Sequence, residues 1–167
     1  MKKTGLYPGS FDCFTLGHLD VAKRALQIFD ELYIAVAVNT RKKSFFSVEE
    51  RISQLREIFQ DNPRVKVIQF SSLTVQKAQE LDVSAIVRGL RAVSDFEYEF
   101  QMAMANRNLA REIETIFLMS DERFMYVSSS LAKEIAFLGG DASAFLPPVV
   151  NRALIGKVNQ LKQEGSS

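Results

Sequence analysis

Apolar runs and amphipathic segments alternate along the chain, which predicts strands and helices in turn. Residues 32–38 (LYIAVAV) are apolar without alternation, as expected of a strand buried on both faces of a parallel sheet. Other apolar runs predict four more strands, at residues 4–7, 65–70, 85–87 and 115–119.

The segments between these strands carry helical periodicity and helix end signals. Ser47 followed by Glu50 has the pattern of a capping box, and Ser94 followed by Glu97 repeats it. A glycine pair, Gly139-Gly140, closes the helix that follows serines 128–130. The predicted helices start near residues 19, 48, 74, 95, 130 and 148, and the last presents Val150, Leu154, Val158 and Leu161 on one side.

Strands that alternate with helices predict a single α/β domain with a doubly wound, five-stranded parallel sheet and a C-terminal helix. We expect this Rossmann-like domain to span residues 1–163 and residues 164–167 to form a disordered tail. Ligands of such sheets bind outside the carboxyl ends of the strands, at the point where the strand order reverses.

Composition excludes several classes of protein. The 167 residues carry 21 Lys and Arg against 20 Asp and Glu, a formal net charge of +1, which argues against a dedicated nucleic-acid binder. The longest apolar run, residues 32–38, is too short to cross a bilayer, so we expect no membrane association. The one cysteine, Cys13, cannot form an internal disulfide and fits a cytoplasmic location.

The first strand leads into candidate phosphate-binding chemistry. Pro8-Gly9 predicts a turn, and the only histidine, His18, falls in the first turn of the next helix, where free backbone N–H groups favour anions. A plain connection between strand and helix explains the same spacing equally well. A Ser-His-Asp triad of Ser10, Asp12 and His18 also stays open, although no nucleophile elbow accompanies it.

Further polar groups follow the other predicted strands. Arg88 and Arg91 flank a glycine and offer planar donors for phosphate, or they pair with acidic residues at 95, 97 and 99. Lys42 lies in a basic run that is typical of a solvated surface, and serines 128–130 are typical of a helix cap. All of these groups, with Thr74, should converge on one edge of the sheet.

No Walker A motif, no Gly-x-Gly-x-x-Gly and no cysteine or histidine cluster for a metal occurs in the sequence. Instead, residues 7–18 (YPGSFDCFTLGH) resemble the opening signature of the nucleotidyltransferase superfamily, with its (His/Thr)-x-Gly-His element. Residues 88–99 (RGLRAVSDFEYE) resemble the second motif of the bacterial phosphopantetheine adenylyltransferase family. Departures from that family are Cys13 for its usual proline, Leu16 for a frequent asparagine, and Phe124 and Val127 for frequent tryptophan and isoleucine.

The resemblance implies roles for individual residues. Catalytic groups would be His18, Lys42, Arg91 and Ser129. The acceptor substrate would be bound by Ser10, Lys42, Thr74 and Arg88. ATP would be bound by Ser10, Phe11, His18, Gly89, Leu90, Arg91, Glu99, Phe124, Met125, Tyr126, Val127, Ser128, Ser129 and Ser130.

The implied reaction transfers the adenylyl group of ATP to 4′-phosphopantetheine and yields dephospho-coenzyme A and pyrophosphate without a covalent intermediate. Mg²⁺ is expected with ATP, and the family implies a homohexamer and coenzyme A as a feedback inhibitor. Two other functions stay open: a nucleotidyltransferase with another nucleotide or acceptor, and a nucleotide-binding module without turnover.

Overall fold

A parallel sheet forms the centre of the molecule, seen in a computed structural model that describes residues 2–38, 44–91 and 93–164. Its strands are β1 (Thr4–Gly9), β2 (Glu31–Ala37), β3 (Val65–Phe70), β4 (Ala85–Leu90) and β5 (Glu114–Met119). The helices are α1 (Leu16–Ile28), α2 (Val48–Ile58), α3 (Thr74–Glu80), α4 (Val93–Leu109), α5 (Ser129–Phe137) and α6 (Pro148–Glu164), with a 3₁₀ turn at Glu122–Phe124. The predicted α/β fold with five parallel strands is confirmed.

The strand order is β3-β2-β1-β4-β5, so the switch point, where the strand order reverses, lies between β1 and β4. β1 pairs with β2 along its whole length, from Thr4 opposite Glu31 to Gly9 opposite Val36. Its pairing with β4 is limited to Gly5 and Leu6. Because that ladder ends early, the carboxyl ends of β1 and β4 leave room for a cleft at the switch point.

Helices cover both faces of the sheet. On one face, side chains of α1, α2, α5 and α6 join the larger buried cluster, which includes Phe14, Val21, Leu55 and Leu154. On the other face, α3 and the residues after α4 pack over Leu6, Ala35 and Ile86 in a smaller cluster. The helix starts that concern the site, those of α1 and α5, lie on the first of these faces.

The structure corrects the predicted turn at Pro8-Gly9, because β1 continues through both residues. The carbonyl of Pro8 accepts a hydrogen bond from Arg88 Nη1 at 2.8 Å, which places it on the β4 side. Since the N–H and C=O of a strand residue point the same way, the N–H that Pro8 lacks would face β4, where the ladder has already ended.

Three other boundaries differ from the prediction. α1 begins at Leu16, with Thr15 as its N-cap, so His18 is still in the first turn. β4 continues through Arg88, Gly89 and Leu90 because β5 pairs with all three. α4 begins at Val93, which puts Ser94 inside the helix and makes its predicted N-cap position wrong.

Several end signals are confirmed. Ser47 and Glu50 make the predicted capping box of α2, and Ser128 is the N-cap of α5. Gly139 has a φ of +83° after α5, a conformation that glycine adopts without strain. On α6, Val150, Leu154 and Val158 are buried as predicted, whereas Leu161 is 41% exposed.

The predicted tail lies outside the described residues except for Glu164, which ends α6. Among the residues that the structure describes, no helix combines the length and apolar character needed to cross a membrane.

Candidate active site

A cavity of about 310 Å³ lies at the switch point, between the end of β1, the start of α1, the end of β4 and the start of α5. We call it the first cavity. Its walls are lined by Tyr7, Pro8, Gly9, Ser10, Phe11, Thr15, Gly17, His18, Val21, Arg88, Gly89, Arg91, Asp95, Glu99, Ser120, Ser128, Ser129 and Ser130.

His18 is fixed at the start of α1 by a reciprocal cap with Thr15. The Thr15 backbone N–H donates to His18 Nδ1 at 3.0 Å, and the His18 backbone N–H donates to Thr15 Oγ1 at 3.3 Å. Because Nδ1 accepts this bond, the ring proton of the neutral imidazole lies on Nε2. Rings of Phe11 and Phe14 each lie 5.4 Å from the imidazole, between ring centroids, and hold its orientation.

The imidazole is neutral at physiological pH. Burial, reinforced by the charges of Arg91 and Arg88, lowers the pKa of His18 to about 4. A neutral His18 therefore presents an N–H donor at Nε2 over the physiological range, which suits a phosphate oxygen.

Arg91 is held at the side of the first cavity by two partners. Its Nε lies 3.2 Å from Asp95 Oδ2, one turn further along the chain, and its Nη1 donates to the carbonyl of Val127 at 3.1 Å. The second contact ties the end of β4 to the segment that precedes α5. A guanidinium fixed in this way presents its positive charge to the cavity without large rearrangement.

Arg88 lies deeper and pairs with Glu99 of α4. Its Nε and Nη2 donate to the two carboxylate oxygens at 2.6 and 2.5 Å, a bidentate ion pair, and its Nη1 donates to the carbonyl of Pro8. The Glu99 carboxylate that the family resemblance assigns to ATP therefore holds Arg88 in this structure.

The start of α5 contributes both backbone donors and serine hydroxyls to the first cavity. Ser128 Oγ accepts from the Leu131 N–H at 3.1 Å, and Ser129 Oγ donates to the carbonyl of Cys13 at 2.6 Å. The Ser129 hydroxyl thus uses its proton within the protein, whereas the Ser128 hydroxyl only accepts there and keeps its proton for another acceptor. Ser129 and Ser130 still bring the first turn of a helix to the cavity wall, where the helix dipole favours anions.

A second cavity of about 220 Å³ adjoins the first. It is lined by Pro8, Gly9, Ser10, Ala37, Phe70, Thr74, Ile86, Arg88, Tyr98, Glu99, Met102, Ala103, Asn106 and Thr115. The two cavities share one wall, which is made by Pro8, Gly9 and Ser10 together with the ion pair of Arg88 and Glu99. Away from that wall, the second cavity is mainly apolar.

The loop between β1 and α1 is held by four side chains, of which Arg51 and Lys133 had no predicted role. Arg51 Nη1 donates to the carbonyl of Ser10 at 2.7 Å, and Lys133 Nζ donates to the carbonyl of Asp12 at 2.8 Å. The Asp12 carboxylate accepts from the backbone N–H groups of Phe45 and Phe46, each at 2.8 Å. These contacts, with that of Ser129, fix the loop in which Phe11 has a φ of +49°.

No local pattern indicates these tethers. Arg51 follows a capping box in an amphipathic helix and would be taken for a surface residue, yet it is 3% exposed. The tethers join residues that are distant in the sequence, so only the fold reveals them.

The structure does not contain the triad that the sequence left open. The Asp12 carboxylate is bound to the backbone of Phe45 and Phe46, and His18 Nδ1 is bound to the backbone of Thr15. Cys13 is fully buried, and burial raises the pKa of its thiol to about 11, which keeps it protonated and unreactive.

Most of the predicted site residues meet in one place. The first cavity is lined by Ser10, Phe11, His18, Arg88, Gly89, Arg91, Glu99, Ser128, Ser129 and Ser130, and Thr74 lines the second. Leu90 and Val127 are buried next to this region, and Val127 contributes its carbonyl to Arg91.

Three other predicted residues that the structure describes line neither cavity. Phe124 lies behind the wall, where its Cβ is the nearest atom to a Cβ built on Gly17, at 3.5 Å. Met125 and Tyr126 are 44% and 64% exposed beyond the rim. Lys42 lies outside the described residues.

No group of three or more His, Cys, Asp and Glu side chains suited to a metal ion occurs among residues 2–38, 44–91 and 93–164. The two carboxylates that line the first cavity, those of Asp95 and Glu99, each pair with an arginine.

The chain is similar to known proteins over most of its length. A sequence profile described as cytidylyltransferase-like matches residues 6–135. A phosphopantetheine adenylyltransferase of Thermodesulfovibrio yellowstonii is 53% identical over 158 residues, which covers 94% of this chain and 98% of that protein. Another, from Caldanaerobacter subterraneus subsp. tengcongensis, is 49% identical over 155 residues and 93% and 97% of the two chains.

A solved structure has the same fold. It is a Vibrio parahaemolyticus protein described as a nicotinate-nucleotide adenylyltransferase, which superposes with a TM-score of 0.70 and is 18% identical in sequence. The match covers 93% of this chain and 99% of that one, so the whole domain architecture is shared.

Proposed function

The chain belongs to the cytidylyltransferase-like family and, within it, to the phosphopantetheine adenylyltransferases, and on that premise we propose that it transfers the adenylyl group of ATP to 4′-phosphopantetheine. The products are dephospho-coenzyme A and pyrophosphate, a step of coenzyme A biosynthesis.

The observation that carries this proposal is the pair of unlike cavities that share one wall. The first offers His18, Arg91 and the start of α5 to a chain of phosphates, and the second offers an apolar channel to a largely uncharged substrate. A transfer between two bound substrates requires that their reacting ends meet, and the shared wall at Ser10 and Arg88 is where occupants of the two cavities approach each other.

We assign the reaction to direct attack of the acceptor phosphate on the α-phosphorus of ATP. A bond forms between the acceptor oxygen and that phosphorus while the bond to the pyrophosphate oxygen breaks, so the protein supplies alignment and positive charge. His18 Nε2–H donates to an oxygen of the reacting phosphate, and Arg91 and the N–H groups at Ser129 stabilise the remaining negative charge.

The acceptor contacts are proposed from the same geometry. Ser10 and Arg88 line both cavities and are placed to hold the attacking phosphate, and Thr74 lines the cavity for the rest of the acceptor. Lys42 completes this set as a prediction from the family resemblance alone.

The other ATP contacts predicted from the resemblance divide in two. Gly89, Glu99 and Ser130 line the first cavity, as do Phe11 and Ser128, and are proposed to contact the nucleotide there. Leu90, Phe124, Met125, Tyr126 and Val127 lie around it, and their contacts with ATP stay predictions.

Mg²⁺ enters this proposal as part of the ATP complex. The carboxylates of Asp95 and Glu99 are occupied by arginines, which fits an ion carried by the phosphates of ATP better than one held by the protein. Bound there, Mg²⁺ would neutralise phosphate charge.

Assembly, regulation and location are also proposals from the resemblance. A homohexamer fits the exposed apolar side chains of α4, which include Tyr98, Phe100 and Met104 at 63%, 48% and 52% exposure. Light scattering on the purified protein tests this assembly. Inhibition by coenzyme A and a cytoplasmic location are tested by adding coenzyme A to the assay and by cell fractionation.

Release of pyrophosphate from Mg-ATP is the experiment that tests the function. We expect release that depends on 4′-phosphopantetheine and yields dephospho-coenzyme A in equal amount. Release with CTP, or with nicotinamide mononucleotide as acceptor, at higher kcat/KM would contradict the assigned substrates. Tight binding of ATP without turnover would favour a nucleotide-binding module instead.

A further inference from the structure

Tyr7 has a buried ring and a hydroxyl at the wall of the first cavity. The side chain is 4% exposed and belongs to the larger buried cluster, with its ring centroid 5.3 Å from that of Phe11. It lines the first cavity but not the second. The residue was part of the opening motif, yet the resemblance assigned it no role.

The hydroxyl of Tyr7 has no hydrogen-bond partner within the described part of the chain. The nearby arginines donate elsewhere, Arg88 to Glu99 and Pro8, and Arg91 to Asp95 and Val127. Among the described residues, the fully buried side-chain atoms without a partner are Gln54 Oε1 and Asn151 Oδ1, so the Tyr7 oxygen is accessible from the first cavity. A phenol O–H that is accessible from the cavity is free to donate to a bound ligand.

The surroundings keep this hydroxyl open to the cavity. Gly89 is the neighbour on β4, and a Cβ built there would lie 3.8 Å from the Tyr7 hydroxyl and 3.0 Å from Val21 Cγ2. A larger residue at position 89 would crowd this wall. The absence of a side chain thus preserves access from the cavity to the phenol.

The charges that face the phenol indicate an anion. Arg88 and Arg91 are the cations that act most strongly on Tyr7, and Glu99 and Asp20 oppose them more weakly. Burial raises the pKa of the phenol far above its usual range, so the group is a neutral donor at any working pH.

We propose that the Tyr7 hydroxyl donates a hydrogen bond to the phosphate chain of ATP and so contributes to nucleotide affinity. This rests on the proposed function, which places ATP in the first cavity. Since Tyr7 does not line the second cavity, it contributes to the affinity for ATP and leaves that for the acceptor unchanged.

The test compares Tyr7→Phe with Tyr33→Phe. Tyr33 lies on the adjacent strand β2, packs with the opposite buried cluster and lines neither cavity, so its variant controls for loss of a phenol in the sheet. Calorimetry measures the affinity of each protein for ATP, for inorganic triphosphate and for adenosine, and thermal unfolding measures the Tm.

We expect Tyr7→Phe to lower the affinity for ATP and for inorganic triphosphate about ten- to hundredfold, as for loss of a hydrogen bond to a charged group. Adenosine affinity, the KM for phosphopantetheine and the Tm should stay close to those of Tyr33→Phe. Equal affinity for ATP in both variants, or a loss that adenosine shares in full, overturns the proposal. If the wild-type protein neither binds ATP nor turns over, the proposed function itself is wrong, and this result is distinct from a failure of the Tyr7 proposal alone.

A second measurement keeps the test decisive if Tyr7→Phe lowers the Tm by more than a few degrees. The protein has four tyrosines, so labelling at the ring carbon that bears the hydroxyl gives four NMR signals, which single Tyr→Phe variants assign. In wild type, inorganic triphosphate should shift the Tyr7 signal and leave that of Tyr33 in place. An unmoved Tyr7 signal at saturation overturns the proposal.

Discussion

The two cavities at the switch point share the ends of β1 and β4 but offer opposite chemistry. The first is walled by helix starts, with His18 on α1 and Ser129 on α5, and by two arginines. The second is walled mainly by the side of α4, with Thr74 at the start of α3, and its lining includes Phe70, Ile86 and Met102. A helix start presents free N–H groups, whereas a helix side presents only side chains.

The difference in polarity between the two cavities suits one edge of the sheet to two unlike substrates. The starts of α1 and α5 lie on one face of the sheet, whereas α3 and α4 lie on the other, so polarity changes across the strand ends. Arg88 and Ser10 lie at the boundary and line both cavities. The following predictions test whether each cavity acts on its own substrate.

Removal of His18 should have the largest effect. His18→Ala takes away the donor that we propose for the reacting phosphate, and we expect kcat to fall about 10²–10³-fold, equivalent to about 2.7–4 kcal/mol. ATP affinity should change far less, because the donor acts most on charge that develops in the transition state. Steady-state kinetics with both substrates saturating measures this.

The matched control is Ser47→Ala, which removes a similar cap from α2 outside both cavities. It should cost about 1 kcal/mol of stability and leave kcat unchanged. A folded His18→Ala protein with near-normal kcat would show that His18 is only a structural cap.

Arg88→Ala should separate the two substrates at their shared wall. Loss of a charge-assisted contact should weaken the binding of phosphopantetheine by roughly 1.5–3 kcal/mol and the binding of ATP by less. The KM values for both substrates measure the split. Arg152→Ala is the control, since it breaks an exposed ion pair with Glu57 at 3.0 Å away from the cavities. A rise in the KM for ATP alone would reverse the assignment of Arg88.

Filling the second cavity should affect only its own occupant. Ala103 lines the second cavity, so Ala103→Phe places a ring in the space that the acceptor would occupy. Overpacking of this kind costs about 1–3 kcal/mol, and we expect this cost as weaker binding of the acceptor. ATP affinity should not change. Ala105→Phe, exposed two residues further along α4, introduces the same ring outside the cavity and serves as control. Equal loss of ATP and acceptor binding would mean that the cavities are not independent.

The last prediction concerns stability rather than substrate binding or turnover, and it arises from the low pKa of His18 in the first cavity. Its value of about 4 in the folded protein lies below the ordinary value of 6.5, so the unfolded chain takes up the proton first. Stability should be complete above pH 6.5 and fall toward pH 4, by up to about 1.4 kcal/mol per pH unit. Urea unfolding across this range measures the slope, and His18→Ala should flatten it relative to Ser47→Ala.

Much of the fold could be predicted because its signals are local. The apolar run of β2 and the capping box at Ser47 depend on neighbours in the sequence, and both are confirmed. The end of β1 could not be predicted, since Pro8 is tolerated only because the ladder with β4 has ended there. Likewise, Arg88 is part of β4 because β5 pairs with it, a long-range fact.

The candidate site also divides into features with local sequence signals and features that depend on long-range contacts. The motifs predicted which residues meet, and most of them line one cavity. They did not predict that Ser129 uses its hydroxyl on the Cys13 carbonyl, and they left the pairing of Arg88 with Glu99 as one of two alternatives. Such pairings depend on distances between elements, which residue order does not encode directly.

The tethers of the loop before α1 also bear on how the protein folds. Arg51 is 41 residues from its partner Ser10, Ser129 is 116 from Cys13, and Lys133 is 121 from Asp12. Contacts of such separation form only after large chain loops have closed. We therefore expect the strands to gain protection in pulsed hydrogen exchange before this loop does, so that binding competence is among the last properties that a newly made chain acquires.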